Sequence, residues 1–169
     1  MNKEEKKFLL KSMKHISKFG LVVEIGSWMG GSSVKLAEGI IKYKNGARLY
    51  CVDPFKEFCD DLEVVRKGRD IRKIFDKNMK GYLHHVVEMY SVDASDEFED
   101  ESIDFIFIDG DHTYEGVKSD IEAWYPRIVT GGVMCGHDFG AKYPGVGKAV
   151  KEIFKEFSLP ARSIWKVVK

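Results

Sequence analysis

Apolar residues come along this chain in two alternating arrangements, short dense runs and longer stretches at helical spacing. The short runs predict strands at Leu21 to Ile25, Leu49 to Val52, His85 to Met89, Ile103 to Ile108, Val133 to Gly136 and Ser163 to Val168. Phe157 to Pro160 stays open as one more strand beside the last. The helical spacing predicts an amphipathic helix from Lys3 to Phe19, with Leu9, Leu10, Met13, Ile16 and Phe19 on or near one face and Gly20 as its stop. A second helix is capped by Ser32 or Ser33 and runs to about Lys44, where Asn45-Gly46 supplies a left-handed end. Further helices are expected from about Arg69 to Lys80, Tyr114 to Ile128 and Val146 to Phe157. The stretch from Phe55 to Gly68 mixes apolar and charged residues without a period. It reads as a short helix or as part of a substrate flap over residues 54–70.

Strands alternating with helices imply an α/β architecture: a doubly wound, mostly parallel sheet with helices on both faces, here closed by an antiparallel C-terminal strand. One domain over residues 1–169 suits this length, with residues 1–20 as its N-terminal helix. Right-handed crossovers then put every turn that follows a strand on one rim. Ligands bind at such rims, because the loops there diverge around a crevice.

The turn after Ile108 reads Asp109-Gly110-Asp111-His112-Thr113. A helix cap needs one such residue, whereas several polar groups here favour chemistry over capping. The turn after Glu24-Ile25 is Gly26-Ser27-Trp28-Met29-Gly30-Gly31-Ser32. Its glycines either admit a ligand close to the backbone or allow tight strand–helix packing. The helix N-terminus that follows offers N–H groups to an anion. Trp28 stands where a dinucleotide-binding turn has its second glycine, which argues against a pyrophosphate lying over the loop. Asp53 ends the next strand. It can accept ribose hydroxyls or simply terminate the strand before Pro54, and its pairing with the glycine turn favours the first. Ser91, Asp93 and Ser95 could meet an adenine edge or cap a local segment. Neighbouring strands lie ~4.8 Å apart, so Asp109 and the His137-Asp138 pair can converge. They would then form a divalent-metal site or a His–Asp pair that orders the loop, and the residues alone do not choose.

Composition removes several function classes. Twenty-seven basic residues balance twenty-seven acidic ones, so nothing electrostatic points to nucleic acid or a membrane surface as partner. Lysines along the first helix are interrupted by Glu4 and Glu5 and read as a solvated face. The three cysteines, Cys51, Cys59 and Cys135, are widely spaced, and Cys51 and Cys135 sit in strand-like runs as small core residues. The chain is therefore expected to be cytoplasmic, with no signal peptide and no apolar run near the ~20 residues that span a bilayer.

With these residues in view, the chain resembles the class I S-adenosylmethionine-dependent methyltransferases, whose fold is Rossmann-like. Glu24 to Ser32 is similar to the first motif of the catechol-type and caffeoyl-CoA-type O-methyltransferases. Ile108 to Val117 looks like the I-D-G-D-H-x-Y-E-G-V signature of bacterial small-molecule methyltransferases. Pro126 to Gly132, Gly136-His137-Asp138-Phe139, Pro144-Gly145-Val146 and Ser163-Ile164-Trp165 also recur in that group. The resemblance implies S-adenosylmethionine as cofactor, held by Glu24, Gly26, Ser27, Gly30, Ser32, Asp53, Asp93 and Asp109. It implies Asp109, His137 and Asp138 as ligands for a divalent metal (Mg or Mn), and Asp109 and His112 as the catalytic pair. His112 stands where relatives often carry a lysine base. His137 departs from the usual acid, which shifts the site toward Mn, Zn or Ni or abolishes metal binding.

The expected reaction is O-methylation of a small hydroxylated acceptor such as a sugar, a phenol or another metabolite. A neutral imidazole, with a reference pKa of ~6.5, can take the hydroxyl proton. His112 could instead orient Asp109 or touch the adenine. Two rivals remain at this stage: an NAD-dependent oxidoreductase, and a non-catalytic module that keeps the cofactor pocket. A minimal core with an amphipathic first helix also admits a homodimer.

Overall fold

The computed structural model describes residues 1–56 and 70–169. Seven strands form one sheet: β1 Leu21–Ile25, β2 Arg48–Val52, β3 His85–Val87, β4 Ile103–Ile108, β5 Ile128–Gly136, β6 Ser158–Ala161 and β7 Ile164–Val168. Their order is β3-β2-β1-β4-β5-β7-β6. The first five are parallel, and β7 runs antiparallel to β5 and to β6. This is the Rossmann-like α/β arrangement expected from the alternation, and the strand that was left open near Phe157 exists as β6.

The helices are α1 Lys3–Ser12, α2 Gly31–Tyr43, α3 Ile71–Asn78, α4 Ser91–Ser95, α5 Tyr114–Trp124 and α6 Pro144–Ile153. Alternation along the strands sorts side chains into two layers. On one face Val23, Ile25, Ile106, Ile108 and Met134 pack with Val117, Ile121 and Trp124 of α5 and Ala149 and Val150 of α6. On the other, Val22, Leu49, Cys51, Phe105, Phe107 and Cys135 pack with Leu9 of α1, Leu36 of α2 and Phe75 of α3. Cys51 and Cys135 are buried and free, as core residues. Among the described residues no helix is long and apolar enough to cross a membrane.

Several boundaries differ from expectation for local reasons. The first helix ends at Ser12, and Met13–His15 is a 3-10 turn, so Phe19 is 62% exposed rather than inward. Ser32 and Ser33 do not cap α2. Gly30, at φ 80, is its N-cap, and Lys44, at φ 52, is its left-handed end. Thr130-Gly131-Gly132, which reads in the sequence as a turn leading into a strand at Val133, lies inside β5. There Gly131 and Gly132 exchange backbone hydrogen bonds with Lys169, next to an irregularity in the β4 pairing. The helix predicted from Tyr114 stops at Trp124, ahead of Pro126. The third rim segment is a short helix, α4, rather than an open turn. Most of the flap expected at 54–70, and Cys59, lie outside the described residues.

Candidate functional site

Four of the sequence-predicted site residues share one structural position: each is the first residue beyond its strand. Gly26 follows β1, Asp53 follows β2, Asp109 follows β4 and His137 follows β5. The backbone N–H of each donates to the last carbonyl of the neighbouring strand. Gly26 bonds Val52 at 2.9 Å, Asp53 bonds Val87 at 3.1 Å, Asp109 bonds Ile25 at 2.8 Å and His137 bonds Ile108 at 3.0 Å. The sheet ladder thus runs one step past the strands and fixes these residues along a single rim. Strand order reverses between β1 and β4, and Gly26 and Asp109 flank that point.

At the β1 end the turn is held by its backbone. Gly26 has φ 81, and a Cβ there would stand 2.3 Å from the Asp109 carbonyl oxygen. The glycine therefore lets two loops close on each other. Trp28 takes φ 45, and its N–H donates to Asp53 Oδ2 at 2.7 Å, while Phe55 N–H donates to Oδ1 at 2.7 Å. Asp53 thus ties the glycine turn to the β2 tip, and each oxygen retains a lone pair for a further donor. Burial raises its pKa above the ordinary carboxylate range against the pull of those two N–H groups.

Beneath this turn lies Glu24, fully buried on β1. Burial pushes its carboxyl up to about 7, against the Ser32, Ser33 and Ser27 hydroxyls, and the Asp109 charge adds to the rise. Ser33 Oγ donates to Glu24 Oε2. Glu24 Oε1, Ser27 Oγ and Trp28 Nε1 are buried without completing a hydrogen bond among the described residues. Three such buried polar atoms, at the end of β1 and in the turn above it, are costly unless a bound group or water satisfies them. Their chemistry, one carboxylate acceptor beside two donors, fits the ammonium and carboxylate of an amino-acid moiety.

The β4–β5 end is built from charges instead. Asp138, at φ 60, adopts a left-handed backbone that aspartate tolerates better than most residues. His112 Nε2 lies 3.0 Å from Asp138 Oδ2 and 3.8 Å from Asp109 Oδ1, and its ring stacks on Tyr143 at 4.3 Å. His137 Nδ1 lies 3.2 Å from Asp138 Oδ1 and 3.5 Å from Asp109 Oδ1. Burial opposes a charge on His137, but the Asp109 and Asp138 carboxylates prevail and hold it up at about 10. Asp138 is held well below the usual carboxylate range, because His112 and His137 outweigh its burial. One donor atom each from Asp109, His137 and Asp138 falls within 4.8 Å of the others, a set that fits a divalent ion.

The remaining residues separate. Asp111 Oδ1 accepts from Thr113 N–H at 2.7 Å, and Thr113 Oγ1 caps α5 by accepting from Gly116 N–H at 3.0 Å. Capping thus accounts for Asp111 and Thr113, while Asp109 and His112 reach the rim. Asp93 is exposed on α4. Sequence reasoning missed Glu5, Ser163 and Tyr143. Glu5 Oε2 lies 3.3 Å from His137 Nε2, and Ser163 Oγ donates to Glu5 Oε1 at 2.6 Å. The Asn2-x-x-Glu5 capping box was readable, but contacts across 158 residues leave no local trace.

Comparison with known proteins places the chain in a family and gives the same fold. A family model described as a methyltransferase domain matches residues 23–139. An uncharacterised protein of Sinorhizobium fredii (strain NBRC 101917 / NGR234), y4gI, is 38% identical over 128 residues, which is 75% of this chain and 14% of that protein. The chain therefore spans a small part of that relative's length. The Bacillus cereus O-methyltransferase in complex with SAH superposes with TM-score 0.68 at 18% identity, covering 100% of this chain and 82% of that one. CalS11, a TDP-rhamnose 3'-O-methyltransferase of calicheamicin biosynthesis, gives TM-score 0.68 at 16% identity over 97% and 76% of the two chains.

Proposed function

This chain belongs to the methyltransferase-domain family; from that premise we propose that it is an S-adenosylmethionine-dependent enzyme whose acceptor is a hydroxyl oxygen on a small molecule. Family membership removes the nicotinamide-dependent alternative. The observation that carries the acceptor reading is the His112–Asp138 contact of 3.0 Å at the rim, beside Asp109. A hydroxyl must lose its proton as its oxygen takes the methyl group, and this contact supplies a place for that proton.

When bound, S-adenosylmethionine supplies a methyl group on a positively charged sulfur. In this reading Glu24, Ser27 and the α2 N-terminus hold the amino-acid end, and Gly26 and Gly30 shape the turn above it. Asp53 offers its remaining lone pairs to the ribose hydroxyls. His112 takes the acceptor proton, and Asp138 stabilises the imidazolium that results. Tyr143, stacked on the ring, keeps His112 at the rim. Asp109, His137 and Asp138 would hold a divalent ion, which would lower the hydroxyl pKa by Lewis acidity. Sugars fit the reading as readily as phenols, and CalS11 is a sugar methyltransferase by name.

The test is transfer of labelled methyl from S-adenosylmethionine to a panel of phenols, sugars and sugar nucleotides, with amines and thiols as controls. Product carrying an O-methyl group supports the reading. Methylation confined to nitrogen or sulfur overturns it, and tight cofactor binding with no transfer to any acceptor class would favour a non-catalytic module.

A further inference from the structure

Glu5 is the one acid on α1 that is buried, at 3% exposure, while Glu4 and the neighbouring lysines face solvent. Part of its bonding is local. Its Oε2 accepts the Asn2 N–H at 2.6 Å, which completes the capping box. A capping box needs neither burial nor a distant partner, and Glu5 has both. Its Oε1 accepts the Ser163 hydroxyl at 2.6 Å and the Ser163 N–H at 3.4 Å, just ahead of β7. Its Oε2 lies 3.3 Å from His137 Nε2, and Ser163 Oγ lies 3.3 Å from the same nitrogen. The other ring nitrogen, Nδ1, is the one that meets Asp109 and Asp138.

We propose that Glu5, braced by Ser163, is a positioning residue that grips His137 through Nε2 and so presents Nδ1 to Asp109 and Asp138. The proposal rests on the reading of the β4–β5 end as the working end of the site. An imidazole can flip by half a turn about its Cβ–Cγ bond, which puts Cδ2 in the place of Nδ1 and Cε1 in the place of Nε2, and only one of the two orientations gives the Asp109–His137–Asp138 set a ring nitrogen. A carboxylate on the far nitrogen fixes the ring and, for an imidazole that ligates a metal, strengthens the donor. The N-terminal helix is then part of the site, reaching it from the opposite end of the sequence.

Two readouts test this on the whole chain, neither of which needs turnover. The first is calorimetric binding of Mn²⁺, Zn²⁺ or Mg²⁺ alone to cofactor-free protein. Glu5→Ala should weaken it ~10- to 100-fold, the usual loss when the outer partner of a ligating histidine is removed. Glu5→Gln, which keeps an oxygen at the same reach, should fall between Glu5→Ala and the unaltered protein. The second readout is the His137 ring N–H resonance in ¹⁵N spectra, which the Glu5 contact should protect from exchange and which Glu5→Ala should abolish. Asn2→Ala is the control for helix stability: it removes the other half of the capping box and should change neither readout. Should Glu5→Ala fail to fold, Glu5→Gln and Ser163→Ala carry the test. If the unaltered protein binds no divalent ion, the metal reading fails and the ring resonance alone decides for Glu5. An unchanged resonance in Glu5→Ala, or equal losses in Glu5→Ala and Asn2→Ala, would overturn the proposal.

Discussion

The two ends of the rim solve different problems with different materials. The β1 end is made of backbone, glycine and buried hydroxyls around one desolvated acid. Burial pushes the Glu24 carboxyl up to about 7 against the serine hydroxyls, and three polar atoms complete no hydrogen bond among the described residues. The β4–β5 end contains more charge but balances it internally, with His137 between Asp109, Asp138 and Glu5. Desolvation governs the first and ion pairing the second. A region with unmet polar atoms is shaped to receive a ligand's charges. A region whose charges already pair is shaped to move a proton or to exchange one partner for another.

The harshest way to break this contrast is at the seam between the ends. Gly26→Ala puts a Cβ against the Asp109 backbone at 2.3 Å and forces alanine to φ 81. Backbone on both sides leaves nothing to yield. We expect a loss of about 3 kcal/mol or more, read as the shift in a denaturant midpoint. Stability close to that of the unaltered protein would mean that the two ends are not locked together there.

Next in size is His112→Ala, which acts on the β4–β5 end alone. Turnover should fall ~100-fold or more, with cofactor affinity measured by calorimetry unchanged. Treatment with EDTA sharpens the outcome. Full activity in EDTA assigns the proton to His112 without a metal, whereas loss in EDTA with recovery on Mn²⁺ brings the Asp109, His137 and Asp138 set into the reaction.

The same contrast explains what the sequence made legible. β1 and β4 were found with their observed ends because a strand buried on both faces is a short, mostly apolar run, here with one acid in each (Glu24 and Asp104), and both runs stop at turn-forming residues, Gly26 and Asp109-Gly110. The rim residues followed, since Asp53, Asp109 and His137 each stand one step beyond such a run. β5 was read from Val133, five residues after its observed start at Ile128, because Gly131 and Gly132 look like a turn, and only the Lys169 pairing shows that they are strand. The role of Gly26 was ambiguous between ligand access and packing. The answer depends on the Asp109 carbonyl, which is distant in sequence. Asp53 had two readings as well, and the structure adds a third, the Trp28 N–H. Glu5 was read as one of the breaks in a lysine-rich solvated face, since a long-range contact has no period to betray it.

Asp53→Ala tests the β1 end with a smaller expected effect. Losing an acceptor of charge-assisted bonds should weaken S-adenosylmethionine binding ~10-fold by calorimetry. The thermal midpoint of cofactor-free protein separates two causes. A lower midpoint with unchanged affinity would confine Asp53 to holding Trp28 and Phe55, and would remove the ribose assignment.

The smallest effect is a proton. Glu24 is raised from 4.5 to about 7, so its contribution to stability is complete below pH 4.5 and is lost as pH rises through 7. At the other end His137 is raised from 6.5 to about 10, and its contribution is complete below pH 6.5 and lost as pH rises through 10. Glu5 is lowered from 4.5 to about 2, so its contribution is complete above pH 4.5 and lost as pH falls through 2. Asp120, which burial raises from 3.8 to about 6, shares the lower part of the pH 4.5–7 window with Glu24, so Glu24→Gln should lessen the fall in stability across that window, most clearly between pH 6 and 7, and leave the outer windows in place. An ammonium placed beside Glu24 favours its charged form, so cofactor binding at pH 7 should release about half a proton. Calorimetry in buffers of different ionisation enthalpy measures that release directly. Binding with no proton release in the unaltered protein would put the cofactor's amino group somewhere other than against Glu24.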